Sequence, residues 1–228
     1  NSLFEDIDIP EPPNLFDDYS TRTDALRKTL QYIGHHDNGM DFKWETSHIK
    51  DKKQRKKAQY QIYLKRYLRC VRGVDDNIKR ILDYLDDSGL AENTLVIYTS
   101  DQGFFLGEHG LYDKRFMYEE SLRIPLLVRW PGKIIPGSAS EDIAINVDFA
   151  QTILDATGVE ADPGMQGRSL VPILMGETPS NWRQSMYYRY YVSHFRTPAH
   201  FGVRTKKYKL ICFQDVPTKG NNQWELYD

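Results

Sequence analysis

Two neighbouring stretches concentrate the side chains able to do chemistry. Asp101 and Gln102 follow a short apolar run and precede Gly103. A carboxylate and an amide are hard oxygen donors of the kind that Ca²⁺ and Mg²⁺ select. Gly103 lets the backbone turn sharply away. The same pattern also suits an ordinary turn at a strand end. Residues 107–115, GEHGLYDKR, then gather ionisable and aromatic groups between two apolar runs. Lys114 can hold an anionic oxygen and stabilise charge on a leaving group. Arg115 can form bidentate bonds to an anion or to sugar hydroxyls. The alternative is a polar surface loop tied by an Asp113–Arg115 ion pair.

These residues need elements to position them. Tyr60, Leu64, Tyr67, Val71, Val74, Ile78, Ile81 and Leu85 recur every three or four positions. That spacing predicts one apolar stripe on a long helix, with Ile78 and Leu85 turned inward and Gly89 as its stop. The helix begins in a cationic stretch, residues 50–57, read as a solvated face. Residues 94–99, rich in β-branched side chains, read as a strand buried on both faces, and residues 125–130 as a second strand. Residues 146–155 read as a helix with Asn146 as N-cap and Gly158 as stop. A shorter helix is expected over residues 23–33, followed by a polar break at residues 35–39 that includes His35 and His36. Residues 1–20, with Pro10, Pro12 and Pro13, read as irregular. Helix, strand, loop, strand and helix make an α/β layout.

Pro and Gly concentrate over residues 161–184. The expected organisation is an α/β domain over residues 1–160, a linker over 161–184 and a small antiparallel sheet subdomain over 185–228. Strands are expected at residues 185–191, 201–204, 208–213 and 223–227.

Composition excludes several classes. The 228 residues carry a net charge of −2, so no global basic field points to nucleic acid or an anionic membrane. No run of about 18 apolar residues exists, so no membrane span is expected. The chain opens on Asn1 without a signal-peptide pattern, as a processed or truncated chain also would. Cys70 and Cys212 are far apart, and both read as buried apolar residues rather than a disulfide or a zinc site.

Several ordered motifs resemble the second half of a type I sulfatase of the alkaline phosphatase superfamily. They are ENTLVIYTSDQGFFLGEHGLYDKRFMYEESLRIPLLVRWPG (92–132), NVDFAQTILDATGV (146–159), MQGRSLVPIL (165–174), HFGVRTKKYKLI (200–211) and WELYD (224–228). The resemblance implies the C-terminal part of an alkaline-phosphatase-like α/β sandwich. It implies Asp101 and Gln102 as ligands of Ca²⁺, with Mg²⁺ possible. Gln102 stands where many relatives carry Asn or His. It implies Lys114 as the sulfate-binding lysine. The D-K-R-x-x-Y-E pattern is most similar to enzymes acting on 6-O-sulfated glucosamine, with Asp113, Arg115 and His200 gripping the sugar. His109 either joins the catalytic site or is structural.

The family nucleophile is a formylglycine made from C-x-P-S-R or S-x-P-S-R. Cys70 is followed by Val71 and Arg72, and Cys212 by Phe213 and Gln214, so neither fits. The expectation is therefore a fragment whose partners are the missing N-terminal half of the same protein and a sulfated glycan, with an extracytoplasmic location. Rival readings are a phosphate ester hydrolase of the same superfamily and a non-catalytic glycan-binding module.

Overall fold

The structure, a computed structural model, describes residues 2–34, 43–194, 196–214 and 222–228. Residues 2–23 contain turns without helix or strand. Two short helices follow, α1 (Asp24–Arg27) and α2 (Lys43–Thr46). The helix expected over residues 23–33 thus lasts one turn. Beyond it the chain is drawn into extended pairing with the candidate loop. Tyr32 forms a β-bridge with Leu111, the Ile33 amide donates to the Gly110 carbonyl at 2.8 Å, and the buried Gln31 side-chain amide donates to the Tyr112 carbonyl. Tertiary hydrogen bonds here outweigh local helix propensity. The polar break at residues 35–39 lies outside the described residues.

The long helix, α3 (Lys52–Asp87), forms as the stripe requires. Asp51 caps it by accepting from the Gln54 amide at 2.8 Å. It ends at Gly89, whose φ of 70° is the left-handed conformation that glycine adopts without penalty. The stripe divides in two. Tyr60 and Leu64 are buried, together with Tyr63, which lies off the stripe and donates its hydroxyl to the Phe105 carbonyl at 2.7 Å. Val71, Val74 and Ile81 are exposed, and the expected inward positions Ile78 and Leu85 are only half-buried. Cys70 is exposed, against expectation, because it lies on this uncovered half.

Strand β1 (Val96–Thr99) leads to the short strands β2 (Phe105–Leu106) and β3 (Tyr112–Asp113), one-turn helix α4 (Glu119–Leu122) and strand β4 (Leu126–Arg129). β1 and β4 pair antiparallel as a two-stranded sheet, and β2 pairs with β3. The expectation of a strand buried on both faces is not met. Tyr98 is 40% and Leu127 65% exposed, because among the described residues nothing covers this sheet on both sides.

Helix α5 (Asp148–Thr157) starts later than expected and ends at Gly158 in the left-handed region. Asn146 does not cap it. The buried Asp148 carboxylate accepts from the Ile145 amide at 2.9 Å and also takes Arg183 and the Arg168 amide. A short helix, α6 (Val171–Leu174), precedes the last sheet. That sheet is an antiparallel meander of β5 (Ser185–Tyr190), β6 (His200–Thr205), β7 (Lys209–Phe213) and β8 (Gln223–Tyr227). Its strands fall within a residue or two of their expected places. Cys212 is buried in β7, as expected, and burial pushes its thiol upward.

The core lies under the candidate loop. Phe105, Leu111, Phe116, Met117 and Tyr118 pack with Ile211 and Phe213 of β7 and with Ala25 and Leu26 of α1. A second cluster joins Leu15, Ile33 and Tyr112 to Tyr60, Tyr63 and Leu64 of α3. In the loop, buried anchors at residues 110–112 and 116–118 flank the half-buried charged residues 113–115.

Candidate functional site

Asp101 stands at the end of β1 with its carboxylate exposed. The Ser100 hydroxyl lies 3.5 Å from Asp101 Oδ1 and donates to the Gln102 carbonyl at 2.8 Å. Gln102 is half-buried. Gly103 has a physical role other than the expected sharp turn. A Cβ there would meet the Glu120 carbonyl oxygen at 2.2 Å, so glycine is required for close packing on α4. The Gly103 amide donates to the Ser121 carbonyl at 2.9 Å, fixing the chain just after the Asp101–Gln102 pair.

The loop from β2 to α4 holds unusual backbone conformations. Gly107, His109, Gly110, Asp113 and Arg115 all have positive φ, with Arg115 at 140°. Such conformations cost non-glycine residues about 1–3 kcal/mol each and persist where surrounding structure imposes them. Here the buried anchors Leu111, Tyr112, Phe116 and Met117 impose them. The result places three charged side chains together. Asp113 Oδ1 lies 3.3 Å from Lys114 Nζ, and Asp113 Oδ2 accepts from Arg115 Nη1 at 2.8 Å. Arg115 and Asp113 are mostly buried, whereas Lys114 is 38% exposed and lies 5.8 Å from the Phe104 ring centroid. Phe104 in turn stacks on Tyr67 of α3. Tyr190 of β5 feels the charges of both Arg115 and Asp113, although burial is the main cause that raises its hydroxyl.

His200, which the resemblance implies as a sugar-gripping residue, is fully buried in this chain. Its ring lies among Phe116, Tyr188, Tyr190 and Phe213, at centroid distances of 5.1–6.3 Å. Nδ1 bonds the Pro198 carbonyl at 2.8 Å, and the buried ring also interacts with the Arg115 backbone. Burial lowers its basicity, which keeps the ring neutral. His200 therefore supports the Arg115 loop from below.

His109 contacts a segment the sequence reading treats only as irregular. Its Nδ1 donates to Asp17 Oδ2 at 2.8 Å, and the Asn14 side-chain amide lies 3.3 Å from Nε2. Asp17 is 92 residues away in sequence, and no local pattern marks it as a neighbour.

The donor chemistry around Asp101 suits a hard divalent cation, but the set is incomplete. Ca²⁺ takes about six to eight oxygens. Among the described residues no group of three or more His, Cys, Asp or Glu is placed to hold a metal. Asp101 and Gln102 are adjacent oxygen donors just after the end of β1.

Comparison with known proteins agrees with this architecture. Residues 12–159 match the family described as Sulfatase, and residues 107–228 match the family described as N-sulphoglucosamine sulphohydrolase, C-terminal. An N-acetylglucosamine-6-O-sulfatase of Bacteroides thetaiotaomicron is 41% identical, over 99% of this chain and 48% of its own length. A solved structure in complex with its substrate D-glucosamine-2-N,6-O-disulfate aligns with a TM-score of 0.91 and 38% identity, over 100% of this chain and 54% of that one. A phosphonate monoester hydrolase from Silicibacter pomeroyi aligns with a TM-score of 0.67 and 28% identity, over 75% of this chain and 36% of that one. The chain thus spans about half the length of the relatives that match it along its whole extent. Its α/β body and small antiparallel sheet are the C-terminal part of an alkaline-phosphatase-like fold, and the chain belongs to the sulfatase family.

Proposed function

We propose that the protein carrying this chain hydrolyses sulfate esters of 6-O-sulfated glucosamine or N-acetylglucosamine. The observation that carries the reading is the Asp113–Lys114–Arg115 cluster, in which one carboxylate pairs with both cations and Asp113 and Arg115 hold positive φ. Support comes from the relative that acts as an N-acetylglucosamine-6-O-sulfatase and from the neighbour bound to a disulfated glucosamine, each aligned over essentially the whole of this chain.

In this reading Lys114 offers its exposed ammonium to the sulfate and to the sugar oxygen on which charge develops as the S–O bond breaks. Arg115, oriented by Asp113, bonds sugar hydroxyls through its planar fork. Asp113 neutralises part of the cationic charge of both neighbours and offers carboxylate oxygens to sugar O–H groups. Asp101 and Gln102 would help hold Ca²⁺, or Mg²⁺, which when bound supplies positive charge against the sulfate. The nucleophile, a formylglycine in the family, and the remaining ligands would come from the N-terminal half. Sulfated glycan is the partner, and the place of action is extracytoplasmic. No helix among the described residues is long and apolar enough to cross a membrane.

A second reading, hydrolysis of phosphate or phosphonate esters, has support from the phosphonate monoester hydrolase of the same fold. One experiment separates the two. The full-length enzyme is given 6-O-sulfated N-acetylglucosamine, an aryl sulfate and an aryl phosphonate. Sulfate release should dominate. Arg115→Ala should cut kcat/KM for the sugar by about 100-fold, and for the aryl sulfate by less than about 5-fold, since one charged hydrogen-bonding anchor is worth about 2–3 kcal/mol. Preferred turnover of the phosphonate by the unmodified enzyme would overturn the proposal.

A further inference from the structure

The segment at residues 14–19 is fastened to the candidate loop at several points. The Asp17 carboxylate works in two directions. Oδ1 accepts from the Tyr19 amide at 2.9 Å and closes the local turn, and Oδ2 accepts from His109 Nδ1 at 2.8 Å. The Asn14 side-chain amide lies 3.3 Å from His109 Nε2, and the Tyr19 hydroxyl donates to the His109 carbonyl. His109 itself has φ 54°, between Gly107 and Gly110, which also have positive φ. The turn closes through the Gly110 amide to the Gly107 carbonyl at 2.8 Å and the Leu111 amide to Glu108 at 2.9 Å. Four residues after Gly110 the chain reaches Lys114.

We infer that Asp17 is a positioning residue, which holds His109 and through it fixes the left-handed turn that delivers Lys114 and Arg115. A left-handed histidine needs a reason to stay there. The turn's hydrogen bonds alone leave the imidazole free to swing out. Anchoring the ring at Nδ1 and the backbone carbonyl at once removes that freedom, because both anchors lie on one short segment. The pair is mostly buried, with side-chain exposures of 14% for His109 and 20% for Asp17. Burial works to raise the Asp17 carboxyl, but the hydrogen bonds from His109 and the Tyr19 amide hold it below the usual carboxylate range. Glu120 Oε1 lies 3.9 Å from Nε2, and the charged surroundings of Asp17 include Arg22 and the half-buried Lys56. Displacing such a loop by about 1 Å costs an enzyme about 100-fold. The inference rests on the reading of Lys114 and Arg115 as the substrate-facing pair, and it names what aims them.

The test uses the full-length enzyme with Asp17→Ala, His109→Ala, the double variant and Asp17→Asn, assayed well below each melting temperature. Each alanine variant should lose at least about 10-fold in kcat/KM for the 6-O-sulfated sugar. The double variant should lose no more than the worse single, because the two residues act as one unit. Asp17→Asn, which keeps one acceptor oxygen, should fall between. Hydrogen exchange is read in parallel. The Gly110 and Leu111 amides should exchange at least about 10-fold faster in the alanine variants, with the β6–β7 amides unchanged. Unchanged exchange at Gly110 and Leu111 overturns the inference whatever the substrate proves to be. Additive losses, or kcat/KM within about 2-fold of the unmodified enzyme, overturn it while the sulfatase reading stands. An unmodified enzyme inactive on sulfate esters defeats that reading alone, and the exchange data still decide the role of Asp17.

Discussion

At the scale of single residues, the candidate site is a problem of charge. Asp113 sits between two cations, so Lys114 and Arg115 can share a small space without mutual repulsion dominating. Asp101 faces the opposite situation. Its carboxylate is exposed, with the Ser100 hydroxyl 3.5 Å away, and no group of three or more His, Cys, Asp or Glu among the described residues is placed to hold a metal. If it serves a cation, that charge is its contribution. Asp101→Asn keeps the size and one oxygen but removes the charge. Bound calcium, measured by elemental analysis of the full-length enzyme, should fall by at least about 10-fold in affinity, because hard cations depend on ligand charge. Lys114→Ala should leave calcium in place while lowering turnover. Full occupancy with normal turnover in Asp101→Asn would leave this aspartate as a turn residue.

At the scale of elements, the loop between β2 and α4 is supported by the sheet below it. β6 and β7 bring His200, Ile211 and Phe213 under Phe116. Glu119 of α4 is tied to β6 and β7 by Arg204 and Lys209. His200 makes this support sensitive to acid. Its folded basicity is lowered, chiefly by burial, so the unfolded chain takes up a proton near pH 6.5 that the folded chain refuses. Stability is therefore intact above that pH and lost as pH falls below it. The Glu119 carboxyl is held low by Arg204 and Lys209 despite burial acting the other way, and the stability it adds fades only below about pH 4.5. Among the described groups whose basicity is shifted, His200 is the one that acts in the interval between those values. The melting temperature of the unmodified protein should drop between about pH 7 and about pH 5, and His200→Phe, which keeps a flat ring among aromatic neighbours, should flatten that drop. An equal drop in both proteins would assign the acid sensitivity elsewhere.

At the scale of the whole molecule, apolar surface is unevenly covered. Val71, Val74 and Ile81 of α3, Tyr98 of β1, Leu127 of β4 and Ile153 of α5 are all exposed. Each large apolar side chain left in water forgoes about 1.5–3 kcal/mol. These residues lie in the part that matches the Sulfatase family, and the chain spans about half of its relatives' length. A body with this surface, lacking the nucleophile motif, should not work alone. The purified 228-residue chain is expected to show no aryl sulfatase turnover above a contaminant control and to bind an apolar dye strongly. Measurable turnover by the chain would place a nucleophile within it.

Much of this was legible in the sequence because it depends on local periodicity. The 3.6-residue stripe gives α3, Gly89 and Gly158 stop their helices, and the four strands of the last sheet fall close to their expected places. The motifs around Asp101 and Lys114 carry the family likewise, since chemistry is written in residue types and spacing. Tertiary structure alone decided the rest. Periodicity says that a face is apolar but not whether a neighbour is present to cover it, so Ile78 and Leu85, expected inward, are only half-buried, and Tyr98 of the strand expected to be buried stands exposed. Residues 31–33 leave the helix because the loop at Gly110 and Tyr112 offers hydrogen bonds from far along the chain, 81 residues away for Gln31 and Tyr112. Burial removed His200 from the surface, and folding joined Asp17 to His109. In each case the deciding contact lies far along the chain, where a one-dimensional pattern has no distance to report.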